Sequence, residues 1–88
     1  MKGKHVIFGV HVQDRARGAS KVQKILTEYG CIIKTRLGLH EIDENFCAKG
    51  GLLLLELVGD DKAAGALADA LGALDGIEVK KMVFKHSS

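Results

Sequence analysis

The chain has 88 residues, of which 47% are hydrophobic and 27% charged, and its formal net charge is +2. That length suits a single small domain, residues 1–88, and the composition excludes a disordered polymer. The longest apolar run, Leu52 to Leu55, falls far short of the roughly 20 residues of a membrane span, and the small net charge gives no electrostatic footprint for nucleic acid.

Lys4 to Gln13 alternates with period two, Val6, Phe8, Val10 and Val12 on one face and His5, Ile7, Gly9 and His11 on the other, which predicts a strand. Asp14 then offers an N-cap to a helix whose apolar stripe is Ala19, Val22, Leu26 and Tyr29. Gly30 is expected to end it in a left-handed conformation. Cys31 to Ile42 predicts a second strand, with Ile33, Thr35, Leu37 and Leu39 on one face. The polar stretch Asp43 to Lys49 reads as a hairpin loop, and Gly50-Gly51 opens a third strand, Leu52 to Val58. Gly59-Asp60-Asp61 caps a second helix with the stripe Ala64, Leu67, Leu71 and Leu74, and Asp75-Gly76 ends it. Its Gly65 and Gly72 share a side and leave room for a second backbone. Ile77 to Lys85 is the fourth strand, with a frayed tail at residues 86–88.

The order β-α-β-β-α-β predicts an α+β, ferredoxin-like fold: a four-stranded antiparallel sheet with two helices on one face. The covered face is then Val6, Phe8, Val10, Val12, Leu53, Leu55, Leu57, Ile77, Val79 and Val83. The bare face carries Ile7, Leu52, Leu54, Met82 and Phe84 beside His5, His11, Lys34, Arg36, Glu56 and Lys80. Contiguous apolar surface of this size marks a contact face, so Ile7, Leu52, Leu54, Met82 and Phe84 are expected to form an oligomer interface. A chain this short buries only about 60% of its unfolded surface by itself, which favours association further.

Two places offer ligand contacts. In Asp14-Arg15-Ala16-Arg17-Gly18 the free amides of a helix start and two arginines suit a carboxylate or phosphate. Arg36 and Gly38 lie in the second strand, where a glycine suggests a bulge or a close backbone approach. Asp14, Arg15, Arg17, Gly18, Arg36 and Gly38 are therefore the candidate binding residues, the plainer alternative for Arg36 being an ion pair with Glu56 across the hairpin.

Catalytic chemistry finds no foothold. Ser20, Ser87 and Ser88 have no histidine–acid partner at a recognisable spacing. Arg15 has no strand asparagine to work with, since Asn45 sits in the hairpin loop. The third strand lacks the stacking aromatics of an RNA-binding sheet. A catalytic function and a resident cofactor are not expected. His5 and His11 lie ~20 Å apart along one strand, so one metal cannot take both from the same copy. His40 and Cys47 flank the hairpin loop, but two ligands do not complete a tetrahedral site. Cys31 and Cys47 fall at opposite ends of the second strand, too far apart for a disulfide, and the expected compartment is a reducing cytoplasm.

The turn Val12-Gln13-Asp14-Arg15-Ala16-Arg17-Gly18 resembles the Asp-Arg-Pro-Gly helix start of ACT domains, with alanine in place of proline and one more residue before the glycine. A more extensive resemblance runs from about residue 5 to residue 83. It is carried by Asp14-Arg15, Ser20-Lys21-Val22, Ile25-Leu26, Glu28-Tyr29-Gly30, Ile32-Ile33 and Arg36-x-Gly38. It continues through Gly65-Ala66-Leu67-x-x-x-Leu71-Gly72-x-Leu74-x-Gly76 and Val79-Lys80. These segments resemble the small stand-alone ACT-like proteins grouped as iron-only hydrogenase system regulators. The resemblance implies a homo-oligomer, dimer or tetramer, associated with a hydrogenase system. It also implies kinship with the effector domain of nickel-responsive repressors, whose metal ligands do not map onto His40 and Cys47 at matching spacing.

The expected function is a non-catalytic, oligomeric ACT-like regulatory or sensor module in the cytoplasm, binding a small effector or a regulatory protein partner, without direct nucleic-acid or membrane contact. The alternative is a metal-binding or metal-delivery protein that gathers His5, His11, His40 or Cys47 across an interface.

Overall fold

A computed structural model of the chain describes residues 4–40 and 50–85. The predicted hairpin loop, with Asn45 and Cys47, and the tail at 86–88 lie outside the described residues. Six main elements follow one another: β1 (Lys4–Val12), α1 (Arg15–Glu28), β2 (Ile33–His40), β3 (Gly51–Leu57), α2 (Asp61–Gly72) and β4 (Ile77–Lys85). The sheet order is β2-β3-β1-β4 and each adjacent pair is antiparallel. This is the ferredoxin-like arrangement that the element order predicts, with β2 and β4 as the edge strands.

Alternation along β1 dictates the core. Val6, Phe8, Val10 and Val12 pack with Leu55 and Leu57 of β3, Val22 and Leu26 of α1, and Ala64, Leu67 and Leu71 of α2. Phe8, at 1% exposure, is among the largest fully buried side chains. Each large side chain buried here contributes roughly 1.5–3 kcal/mol of transfer free energy. The helices approach the sheet through small residues as well as through their apolar stripes, since Gly18 of α1 is buried and Ala64 of α2 is 6% exposed. Gly65 and Gly72 meet nothing where a side chain would stand, so neither mediates a close backbone approach within the chain.

Asp60 starts α2 as predicted. Its extended backbone and its carboxylate, which accepts from the Ala63 N–H at 2.7 Å, form an N-cap. Asp60→Ala is expected to cost about 1 kcal/mol and to lower the melting temperature by roughly 4–8 °C, measurable by circular dichroism.

The structure corrects the reading between α1 and β3. Among the described glycines only Gly59 and Gly76 have positive φ, so Gly30 is not a left-handed cap. Gly30–Ile32 instead forms a 3-10 turn, with the Ile32 N–H bonded to the Tyr29 carbonyl at 3.1 Å, and exposed Cys31 belongs to that turn rather than to a strand. In β2, Ile33 pairs with Leu57 but Thr35 pairs with Glu56, so an extra residue is inserted at Lys34. Because side chains alternate along a strand, that insertion exchanges the faces of everything after it. Arg36, Gly38 and the His40 position therefore lie on the helix-bearing face, while Thr35 and Leu37 join the bare face. The bulge sits at Lys34 and not at Gly38, whose hypothetical side chain would make only ordinary contact with Leu53.

The expected Arg36–Glu56 pair does not form. The Arg36 guanidinium donates to the Gln23 side-chain oxygen of α1 at 2.8 Å. Glu56 instead accepts from the Thr35 hydroxyl at 3.1 Å and lies 4.0 Å from the Lys34 ammonium. Val83 falls on the helix-bearing face by register, as predicted, yet it remains 49% exposed on the edge strand. Among the described residues no helix is long and apolar enough to cross a membrane.

Candidate functional site

The end of β1 and the end of α2 meet at one corner of the molecule. The Gln13 N–H donates to the Gly76 carbonyl at 2.8 Å, which ties the β1–α1 turn to the turn before β4. Gly76 holds φ at +74°, and the Gln13 side-chain oxygen stands 3.4 Å from where its Cβ would be. Only a residue without a side chain adopts this turn without strain. On the neighbouring side the Asp14 carbonyl accepts from the Gly18 N–H at 2.9 Å and so begins the α1 ladder. A Cβ on Gly18 would stand 3.2 Å from Val12 and 3.4 Å from Ile77, so a glycine here lets α1 settle against both strands.

The corner holds two clefts separated by the Gln13–Gly76 tie. On the helix side lies one of about 240 Å³, whose polar rim is Gln13, Asp14, Lys21 and Asp75 and whose apolar wall is Leu74 and Ile77. On the bare-face side lies one of about 300 Å³, bounded by His11, Gln13, Gly76 and Glu78. The inner cleft thus presents two carboxylates, one ammonium and a primary amide around a greasy wall. That combination suits a small ligand with both charged and apolar parts rather than a simple ion. The first turn of α1, which carries Arg15 and Arg17, starts at the rim.

Of the candidate binding residues, the structure brings Asp14 and Gly18 into the cleft and places Arg15 and Arg17 in the adjoining turn of α1. Arg36 and Gly38 line neither cleft. Residue-level reading missed Lys21, Asp75 and Gly76 as cleft residues. Their common signal is that each stands at a helix end or in its first turns, facing a corner that topology alone assembles.

The predicted interface residues share the bare face. Met82 and Phe84 are 53% and 52% exposed, and Leu37, delivered there by the bulge, is 52% exposed. An apolar groove of about 450 Å³ crosses this face between Leu37 and Leu54 on one side and Ile7 and Phe84 on the other. His5 and His11 are both exposed. Among the described residues no group of three or more potential metal ligands comes together, and Cys47 and the side chain of His40 fall outside them.

Over residues 4–81 the chain matches the family described as "TM1266-like: Iron-only hydrogenase system regulator, putative". The chain belongs to this family. Among solved structures it is similar to the uncharacterized protein TM1266 from Thermotoga maritima, at 26% identity and a TM-score of 0.81, with 93% of this chain and 99% of that one covered. A nitrogen regulatory PII-like protein from Thiomonas intermedia K12, solved bound to ADP, AMP and bicarbonate, shares the fold. It is 9% identical, with a TM-score of 0.59 and coverage of 94% of this chain and 92% of that one. A formyltetrahydrofolate deformylase from Pseudomonas putida KT2440 matches at 13% identity and a TM-score of 0.56. There 89% of this chain covers 28% of the enzyme, so the likeness is to one part of a larger protein. No curated protein matches the sequence. The family is the one that the resemblance of the chain's segments implies, and the fold is ferredoxin-like, of the ACT- and PII-like kind.

Proposed function

We propose that the chain is a non-catalytic regulatory module, a single ACT-like domain that acts as a homo-oligomer in the cytoplasm and reports a small effector to a protein partner of an iron-only hydrogenase system. The carrying observation is the inner cleft at the β1–α1 corner, where Asp14, Lys21 and Asp75 surround an apolar wall and the first turn of α1 brings Arg15 and Arg17. A ligand seated there touches the turns that end β1 and begin β4, so binding reaches the central strand of the sheet directly. The family supplies the hydrogenase link, and Ile7, Leu52, Leu54, Met82 and Phe84 supply the surface for self-association.

The test is a thermal-shift and calorimetric screen of amino acids and adenine nucleotides. A true effector at ten times its Kd contributes about 1.4 kcal/mol, a rise of roughly 6–10 °C for a chain of this size. Lys21→Ala is expected to remove most of that rise while leaving the unliganded melting temperature within about 2 °C, because Lys21 is exposed. If no compound shifts the melt, or if Lys21→Ala responds like the parent, the cleft is not the effector site.

A further inference from the structure

The strand register lays out the bare face as a grid. Thr35, Glu56, Ile7 and Met82 stand in one cross-strand row, and Leu37, Leu54, Gly9 and Lys80 in the next. Leu52, His11 and Glu78 make a third, and His5 and Phe84 lie beyond the first. The apolar members therefore form a diagonal band from Phe84, Met82 and Ile7 through Leu54 to Leu37 and Leu52. The polar members fall into the two corners that the band separates. One corner holds Glu56 with Thr35 and Lys34, and the opposite one holds Lys80, Glu78 and His11.

We propose that this face is a self-complementary docking surface for a second copy of the chain, related to the first by a twofold axis along the apolar band. The proposal rests on the self-association put forward under Proposed function and adds the geometry. Rows recur every ~7 Å along the strands and strands every ~4.8 Å, and the band shifts one strand per row, so it runs at roughly 35° to the strands. Rotation about it sets band on band and crosses the two sets of strands at about 70°. The same rotation exchanges the corners. Glu56 comes to stand over the partner subunit's Lys80, a contact that occurs twice by symmetry. Leu54 lies near the axis and faces its own counterpart.

Charge complementarity selects a second copy as the occupant, since Glu56 on one side of the apolar band answers Lys80 on the other. Two faces about 19 Å wide crossed at this angle overlap over about 380 Å² of projected area per copy, so the pair reaches ~760 Å² before side-chain relief is counted, the size of a small, reversible interface. Its apolar band runs from Phe84 and Met82 on the edge strand to Ile7 and Leu54 on the central strands, the composition of an interface core, and the charges flank it.

Charge reversal in trans tests this. Glu56→Lys alone sets lysine over lysine in both contacts, and Lys80→Glu alone sets carboxylate over carboxylate. Each variant by itself is expected to weaken the dimer at least tenfold by sedimentation velocity. An equimolar mixture of the two is expected to form mixed dimers within about threefold of the parental affinity, because both contacts are then opposite in sign. Lys80 is exposed and makes no core contact, so its reversal leaves the fold intact, and recovery in the mixture shows that Glu56→Lys is folded too. Leu54→Glu, near the axis, is expected to give monomers that no charge variant rescues. If the parent is oligomeric and the single reversals leave it so, the assembly uses another surface and this geometry is wrong, while the oligomer reading stands. If the parent is a monomer at every concentration, the oligomer reading fails as well.

Discussion

Phe8→Ala is expected to remove about 3–5 kcal/mol of unfolding free energy, measured by urea titration. Phe8 lies on β1, which pairs with both β3 and β4, and its ring is 1% exposed among the stripes of both helices. Its partners belong to well-paired elements that cannot collapse into the space, so most of the cavity cost remains. A chain of this length has only about 4–13 kcal/mol to lose, so the variant is expected to be largely unfolded at 37 °C. A loss below about 1 kcal/mol would mean that the centre of the sheet is not the stability centre described above.

Gly18→Val is expected to cost about 2–3 kcal/mol and to abolish effector response together. The added Cβ alone would stand 3.2 Å from Val12 and 3.4 Å from Ile77, and the two γ-methyl groups add bulk at a contact that is already tight. Overpacking of this kind forces the helix outward. Because Asp14 and Lys21 flank Gly18, the outward shift also reshapes the inner cleft. Gly18→Ala is the control: alanine gains about 1 kcal/mol of helix propensity, which offsets a contact that a small shift relieves. Equal melting temperatures for the valine and alanine variants would show that α1 does not rest on this glycine.

The fold was legible because the strongest signals were local and periodic. The alternation from Val6 to Val12 named the buried side of β1, and the spacing of Ala64, Leu67 and Leu71 named the buried side of α2. Those two patterns and the element order suffice for the sheet topology. The second strand was legible in place but not in orientation. Its bulge inserts one residue at Lys34, and neither Lys34 nor Thr35 carries a local signature for it. Ile33 and Leu37 consequently lie on opposite faces although their spacing in the chain puts them on one. The same insertion turned Arg36 from a partner of Glu56 into a partner of Gln23. The candidate site was half legible: Asp14 and Gly18 stand out beside a helix start, whereas Asp75 and Gly76 read only as a helix stop. Their place in the cleft follows from β4 returning beside β1, a pairing between residues more than sixty positions apart in the chain.

The position of β4 at the rim of the sheet has one more consequence. An unpaired strand is a template on which further chains polymerise, and the usual end of that process is a fibre. Here Lys80, Lys81 and Lys85 punctuate that strand, and Lys4 stands opposite Lys85 on its neighbour. Two such rims brought side by side would set the adjacent pair Lys80 and Lys81 against like charge, which discourages lateral growth.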